Sequence, residues 1–481
     1  MGSRRVIGPF NRVEGDLEVT LDIADGRVAA AYVNSPMYRG FEQILQGKHP
    51  LDALVYVPRI CGICSVAQSA AAAQALAQAM GLQPAANGVL ASNLTLAAEN
   101  VADHLSHFYL FFMPDFAREA YRGKSWFEPA AARFKAVSGS ATADVLPART
   151  RFMHLMGYLA GKWPHTLSLQ PGGSARPLEL AERLRMLILL AEFRTFLERT
   201  LYGDGLEAVC ALDSEAALRR WLDTGPQGDF PRFLEIAYDL QLHAVGRATD
   251  RYLSYGAYRD GEAALFAQGV WDGGLQALDL ASIREDVSHS WMEGDAALAP
   301  QQGETLPQPG KAGAYSWCKA PRLAGRVVET GALARQMVAG HPLLRDLVGR
   351  HGGSVTARVV ARLLEMALVL QAMQQWLADI RIGEPFCVTA PRLEQGQGVG
   401  LVEAARGSLG HWLQVRDGVL HNYQIVAPTT WNFSPRDAGE TPGALEQALV
   451  GVDASEAADD ALLTVQHVVR SFDPCMVCTV H

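Results

Sequence analysis

The chain has 481 residues, 49% of them hydrophobic and only 19% charged, with a net charge of −9 and a pI near 5.8. That length suffices for one very large core or for two to three domains. The acidic balance offers no basic stripe and excludes nucleic acid as a partner. No window holds eighteen uninterrupted apolar residues, so no membrane span is expected.

The first residues predict no export leader: Arg4-Arg5 is followed by Val6-Ile7-Gly8-Pro9-Phe10-Asn11, which is no signal core. Residues 13–33 alternate across an Asp25-Gly26 turn, with Leu17, Val19, Leu21 and Ile23 on one side and Val28 to Val33 returning, which predicts a β-hairpin. A short helix is expected at Phe41 to Leu45. Cys61-Gly62-Ile63-Cys64 follows Pro58-Arg59 at a loop-to-helix junction, and the alanine-rich stretch from Ser65 to Met80 reads as helix. Residues 88–112 predict a helix apolar nearly all round, whose Glu99, Asp103, His104 and His107 then need buried partners. Further helices are expected over 177–202, opened by Pro177, and over 356–380. The stretch 205–330 is less periodic, with a turn at Trp271-Asp272-Gly273-Gly274, and reads as shorter helices with a small β element. A second hairpin is expected over 413–425 around Asp417-Gly418, a loop at Pro435 to Gly439, and helices at 443–450 and 462–471. Long central helices point to a bundle-like core.

Seven cysteines, an odd and scattered set, read as cytosolic thiols and metal ligands rather than a disulfide framework. Four of them form two Cys-x-x-Cys pairs at opposite ends of the chain, Cys61/Cys64 and Cys475/Cys478. Each pair lets two thiolates converge on one metal. From spacing alone, structural zinc, a redox-active metal and dithiol chemistry all remain open. Arg59, Arg406 and Arg436 are candidates for the positive charge that keeps thiolates deprotonated, with surface ion pairs as the alternative. His481 could bind a separate hard metal with Glu42, or be an unbound histidine. Cys210, Cys318 and Cys387 are isolated and read as small core residues.

Taken together, several segments resemble the large subunit of a [NiFe]-hydrogenase. They are Asn11-Arg12-Val13-Glu14-Gly15, Met37-Tyr38-Arg39-Gly40-Phe41-Glu42, Arg59-Ile60-Cys61-Gly62-Ile63-Cys64, Asp103-His104, Glu403-Ala404-Ala405-Arg406-Gly407, Pro428-Thr429-Thr430-Trp431-Asn432, and Asp473-Pro474-Cys475 through Cys478 and His481. The resemblance spans essentially the whole chain. It implies a mainly α, multihelical fold with a central long-helix bundle and small peripheral β hairpins or sheets. One catalytic domain, 1–481, would comprise a β-containing segment (1–60), a helical core carrying the metal site (61–204 and 340–481) and a peripheral mixed region (205–339).

The same resemblance implies that Cys61, Cys64, Cys475 and Cys478 bind nickel. Cys64 and Cys478 would bridge to an iron carrying one carbon monoxide and two cyanides, delivered by maturation proteins. H2 would split heterolytically at this pair. Arg406 would hang over the open face, anchored by Asp103, with Asp473 shaping the surroundings. Glu14 would relay protons beside the terminal cysteine. Pro428, Thr429 and Thr430 would lie near the diatomic ligands. Glu42 and His481, with a backbone carbonyl near Ala427, would hold a magnesium ion. Iron–sulfur clusters would reside in a partner small subunit, in a heterodimer or a dimer of heterodimers.

Two positions depart from the family pattern: Asp16 and Gln68 each replace a histidine. Gln68 can still donate a hydrogen bond toward a bridging thiolate but cannot change charge. These departures, the length and the ending at His481 resemble the regulatory, hydrogen-sensing branch. The expectation is a cytoplasmic hydrogen sensor of slow turnover, read by a histidine protein kinase, with oxygen tolerance through a narrow gas channel. The alternative is an energy-conserving uptake hydrogenase. The non-enzymatic alternatives are a structural zinc protein and a complex-I-like subunit, which shares the fold but lacks the four nickel thiolates.

Overall fold

In the computed structural model, which describes residues 3–261, 263–454 and 462–481, long helices meet at the centre. The Ala86–Ser106 helix packs on Val355–Asp379 and on Ala141–Ala160, and the last of these packs on Leu180–Phe196. Ala86–Ser106 is buried on nearly every side, as its apolar-all-round pattern requires. Several of its polar atoms find partners: Asn100 donates to the Tyr258 hydroxyl (2.7 Å) and the Glu403 carbonyl (3.1 Å), and His104 Nε2 meets Glu365 at 3.1 Å. The expected 88–112 and 177–202 helices each end in a π-helical turn, His107–Phe112 and Leu197–Tyr202. The second starts three residues after Pro177, where Glu179 and Glu182 form a reciprocal cap. Ala141–Ala160 has no counterpart in the expectations above. Pro147 lies inside it, a residue that normally argues against helix.

The predicted N-terminal hairpin forms from Glu18–Ala24 and Arg27–Asn34, with Val19, Leu21 and Ile23 buried, and gains a third strand, Ser3–Ile7. Met1 and Gly2 of the leader reading lie outside the described residues. In the middle of the chain, short helices precede an antiparallel sheet of Tyr252–Asp260, Ala263–Trp271 and Leu275–Gln276, which packs on the Ala332–Ala339 helix.

The expected 413–425 hairpin is the second half of a three-stranded sheet, Gly396–Ala404, Gly407–Arg416 and Val419–Val426. Its first strand lies antiparallel along the Ser65–Ala79 helix. Gly396, Gly398 and Gly400 face the helix carbonyls of Ala79, Ala75 and Ala71, and a Cβ at Gly398 or Gly400 would overlap those oxygens. The unpaired strand edge is capped from the helix: Gln74 Oε1 accepts from Leu401 N (3.1 Å), and Gln78 Oε1 accepts from Val399 N. Alanine on the helix and glycine on the strand thus bring the Cys64 helix against the strand that leads to Arg406.

The architecture is the expected one: mainly helical, with a central bundle and small peripheral sheets. The reading of the three isolated cysteines needs correction. Cys318 is buried and Cys210 partly so, but Cys387 is exposed.

Candidate metal centre

Cys61 and Cys64 sit where the chain enters the Ser65–Ala79 helix, and Cys475 and Cys478 in and just before the short Met476–Thr479 helix. The fold joins them. Sγ–Sγ distances are 3.4 Å for Cys61–Cys475, 3.0 Å for Cys64–Cys478 and 3.2 Å for Cys475–Cys478, and all four sulfurs lie within 4.8 Å of one another. Among the described residues this is the one convergent group of three or more His, Cys, Asp or Glu side chains. The four sulfurs are buried and share hydrogen atoms unequally. Hydrogen bonds from Cys475, Cys478 and Cys64, together with the Arg406 charge, draw Cys61 well below the ordinary thiol range. The same sharing raises Cys64, and burial raises Cys478. The pocket therefore gathers four buried sulfurs, a donor set that fits soft metals such as nickel and low-spin iron.

One side chain ties the two cysteine segments to each other, and two further contacts anchor each of them separately. Arg39 donates to the carbonyls of both Ile60 and Val477, the residues just before Cys61 and Cys478. Met476 N donates to Glu14 O at 2.7 Å, and Glu14 pairs in parallel with Cys475. Glu99 caps the Cys64 helix, accepting from Val66 N (2.9 Å), Ala67 N (3.0 Å) and Trp163 Nε1 (2.9 Å). The segment before Glu14 is anchored in turn: Asp115 binds Arg12 and Arg470, and Arg470 donates to Asn11 O at 3.0 Å. Arg39 and Glu99 were not singled out from sequence as site residues. Arg39 does stand inside a matched segment, and Glu99 is an acid on an apolar helix.

Arg406 follows the glycine-rich strand in the turn to Gly407, whose φ of +131° and contact with Thr330 leave no room for a side chain. Its guanidinium donates to Asp103 (2.6 and 3.3 Å), to Asp473 Oδ1 (3.0 Å) and to the Asp473 carbonyl (2.9 Å). The two carboxylates divide. Burial pushes Asp103 up to about 7 despite Arg406, whereas at Asp473 the charges of Arg406 and His107 outweigh burial and hold it low. Glu14 is raised by burial and by the Cys61 thiolate, with Arg406 opposing. Thr429 Oγ1 accepts from Cys475 N at 3.2 Å, and Thr430 Oγ1 donates to Thr479 O at 3.0 Å. Pro428 opens the helical turn that carries both threonines. Gln68, one turn beyond Cys64, is buried with Oε1 facing His411.

Of the three expected arginines, Arg406 is the one whose charge acts on a thiol, Cys61. Arg59 turns outward to Val55 O, and Arg436 lies over Tyr32. The magnesium expectation is also corrected. Glu42 accepts from Ile425 N (2.8 Å) and Thr305 Oγ1, and the Lys319 ammonium lies 3.5 Å from Glu42 and 3.7 Å from Glu285. These carboxylates already share a positive charge built into the fold. The carbonyl beside His481 Nε2 is that of Ile425, at 2.7 Å, while Ala427 O accepts from Trp431 N. Ala427 starts a helix, so its carbonyl is committed.

A model of the nickel-dependent hydrogenase family matches residues 39–125 and 143–481. The periplasmic [NiFeSe] hydrogenase large subunit of Desulfomicrobium baculatum is 30% identical over 99% of this chain and 94% of its own length. The uptake hydrogenase large subunit of Azotobacter chroococcum is 27% identical over 100% and 95%. The reduced Ni-Fe-Se hydrogenase of D. vulgaris Hildenborough superposes with a TM-score of 0.86, at 30% identity and full coverage of both chains. These relatives, named as periplasmic and uptake enzymes, correct the expectation of a cytoplasmic, hydrogen-sensing chain coupled to a histidine kinase and favour the energy-conserving alternative. The two departures that suggested a sensor are local: Asp16 is exposed, and Gln68 keeps the hydrogen-bonding capacity of the histidine it replaces. No helix among the described residues is long and apolar enough to cross a membrane. The chain belongs to the nickel-dependent hydrogenase family and is an enzyme, a [NiFe]-hydrogenase.

Proposed function

We propose that this chain is the H2-oxidising large subunit of an energy-conserving uptake hydrogenase, working in the periplasm and passing electrons to an iron–sulfur small subunit. The observation that carries this reading is the buried four-cysteine pocket with a doubly anchored guanidinium beside it. Cys61, Cys64, Cys475 and Cys478 would hold nickel, with Cys64 and Cys478 shared with an iron bearing carbon monoxide and cyanide. When bound, the metal pair supplies heterolytic splitting of H2.

The protein's own residues supply position and charge. Arg406 is fixed by Asp103 and Asp473, so its positive charge needs no reorganisation during turnover. Thr429 and Thr430 pin the Cys475–Thr479 turn, with Pro428 starting the helix that presents them. Glu14 holds the departing proton on its carboxylate, which its raised pKa suits to proton transfer with a thiol.

The test is infrared spectroscopy on the protein matured and purified with its small subunit, alongside H2-dependent dye reduction. Stretches of one carbonyl and two cyanides that shift under H2 are expected. A fully metal-loaded sample silent in that region would sink the nickel–iron reading and favour zinc. Bands and activity without a partner containing iron–sulfur clusters would overturn the electron-transfer assignment.

A further inference from the structure

Gln68 is buried, and its Nε2 has no hydrogen-bond partner among the described residues. Its other end is held in a chain of three side chains. His411 Nε2 lies 2.8 Å from Gln68 Oε1, and His411 Nδ1 lies 2.7 Å from the Tyr423 hydroxyl. All three groups are buried. His411 and Tyr423 stand on neighbouring strands of the sheet whose glycine strand covers the Cys64 helix.

The chemistry of the three groups sets the direction of every hydrogen. An amide oxygen only accepts, so His411 carries its hydrogen on Nε2 and donates to Gln68. His411 is buried and pushed down to about 3, chiefly by burial, so it is neutral and its Nδ1 must accept. Tyr423 then donates. The reverse polarity would turn the Gln68 amide over and set its oxygen where the NH2 now stands. Gln68 N donates to Cys64 O, and side chains four apart share a helix face, so an acceptor in that place would oppose a thiolate at Cys64. An unpaired buried NH2 costs about 1–3 kcal/mol, so this donor is kept for an acceptor that the described residues do not provide.

We propose that His411 and Tyr423 are positioning residues for the metal chemistry: they lock the Gln68 amide so that its NH2 donates to an anionic acceptor of the nickel–iron centre. The inference rests on the nickel–iron reading above and assigns a task to two residues outside the matched cysteine motifs.

The experiment compares infrared spectra of the carbonyl and cyanide stretches in the complete heterodimer for the wild type, Gln68→Leu, Tyr423→Phe, His411→Phe and the Gln68→Leu/Tyr423→Phe double variant, at matched nickel and iron content. Tyr423→Phe and His411→Phe are expected to shift the bands in the same direction as Gln68→Leu. Tyr423→Phe is expected to add no shift once Gln68 is gone, the signature of residues acting through one another. Bands unmoved by both Tyr423→Phe and His411→Phe, or a Tyr423→Phe shift of full size in the Gln68→Leu background, would overturn the relay. A metal-loaded wild type with no such bands would overturn the nickel–iron reading and the relay with it, whereas bands present but unmoved overturn the relay alone.

Discussion

Two buried polar centres lie close to the last residues of the chain, and they settle their charge in opposite ways. At the first, four sulfurs converge on one another, and Arg406, whose charge acts on Cys61, is already bound to two aspartates. At the second, Glu42, Glu285 and His481 surround the Lys319 ammonium, and the pull of Lys319 and His481 outweighs burial to hold Glu42 at about 2. One centre is a set of soft ligands with no cation among them, the other a set of hard groups with one ammonium between two carboxylates. A buried cluster asks for a metal when its donors are soft, convergent and uncompensated. Acidic residues and a histidine in one place are not enough.

The contrast can be broken by substitution. Cys475→Ser should abolish nickel binding and all H2 activity; nickel quantification on the purified heterodimer checks this, and retained nickel would remove the four-sulfur assignment. Arg406→Lys should leave metal content intact and lower turnover by about 10²–10³-fold, as when a preorganised charge-stabilising donor is lost. Glu14→Gln should lower turnover by about 10²-fold or more with metals and infrared bands unchanged. Measuring H2/D+ exchange in the same variant separates slowed proton delivery from slowed chemistry.

Lys319→Met should act on stability instead, costing about 3–5 kcal/mol because it strands buried carboxylates. It should also move the acid limb. Glu42 titrates at about 2 in the fold against an ordinary 4.5, so the stability it contributes is present above 4.5 and lost as pH falls toward 2. Without Lys319 that loss should begin nearer neutral pH in denaturant titrations of the metal-free chain. If Lys319→Met is instead neutral and takes up a divalent cation, the distinction between the two centres is only one of occupancy.

The cysteine pairs were legible in the sequence because spacing alone brings two thiolates to one point, and their union needed only the fold. The helical core was legible where apolar residues recur all round, as in Ala86–Ser106. Gly396-Gln397-Gly398-Val399-Gly400 was not legible as a strand, since glycine ordinarily argues against one. Its meaning lies in the helix it touches, which local pattern cannot show. Arg39 works through two carbonyls far apart in sequence, and no motif encodes that reach. Ala427 was misplaced by two residues because the helix beginning there claims its carbonyl. The sensor reading leaned on two substituted positions, and neither Asp16 nor Gln68 carries enough chemistry to mark a physiological role.

The glycine strand has a mechanical consequence. Four helical residues advance about 6.0 Å and two strand residues about 6.6 Å, so Gly396, Gly398 and Gly400 engage the carbonyls of Ala79, Ala75 and Ala71 as teeth of nearly matched pitch. Teeth of that kind stay in step over a short run and resist sliding along either axis. The helix begins at Cys64 and the strand runs into Arg406, so the spacing between a metal ligand and the fixed guanidinium is set by a keyed joint of backbone atoms. Side-chain rotamers can relax around that joint without lengthening it.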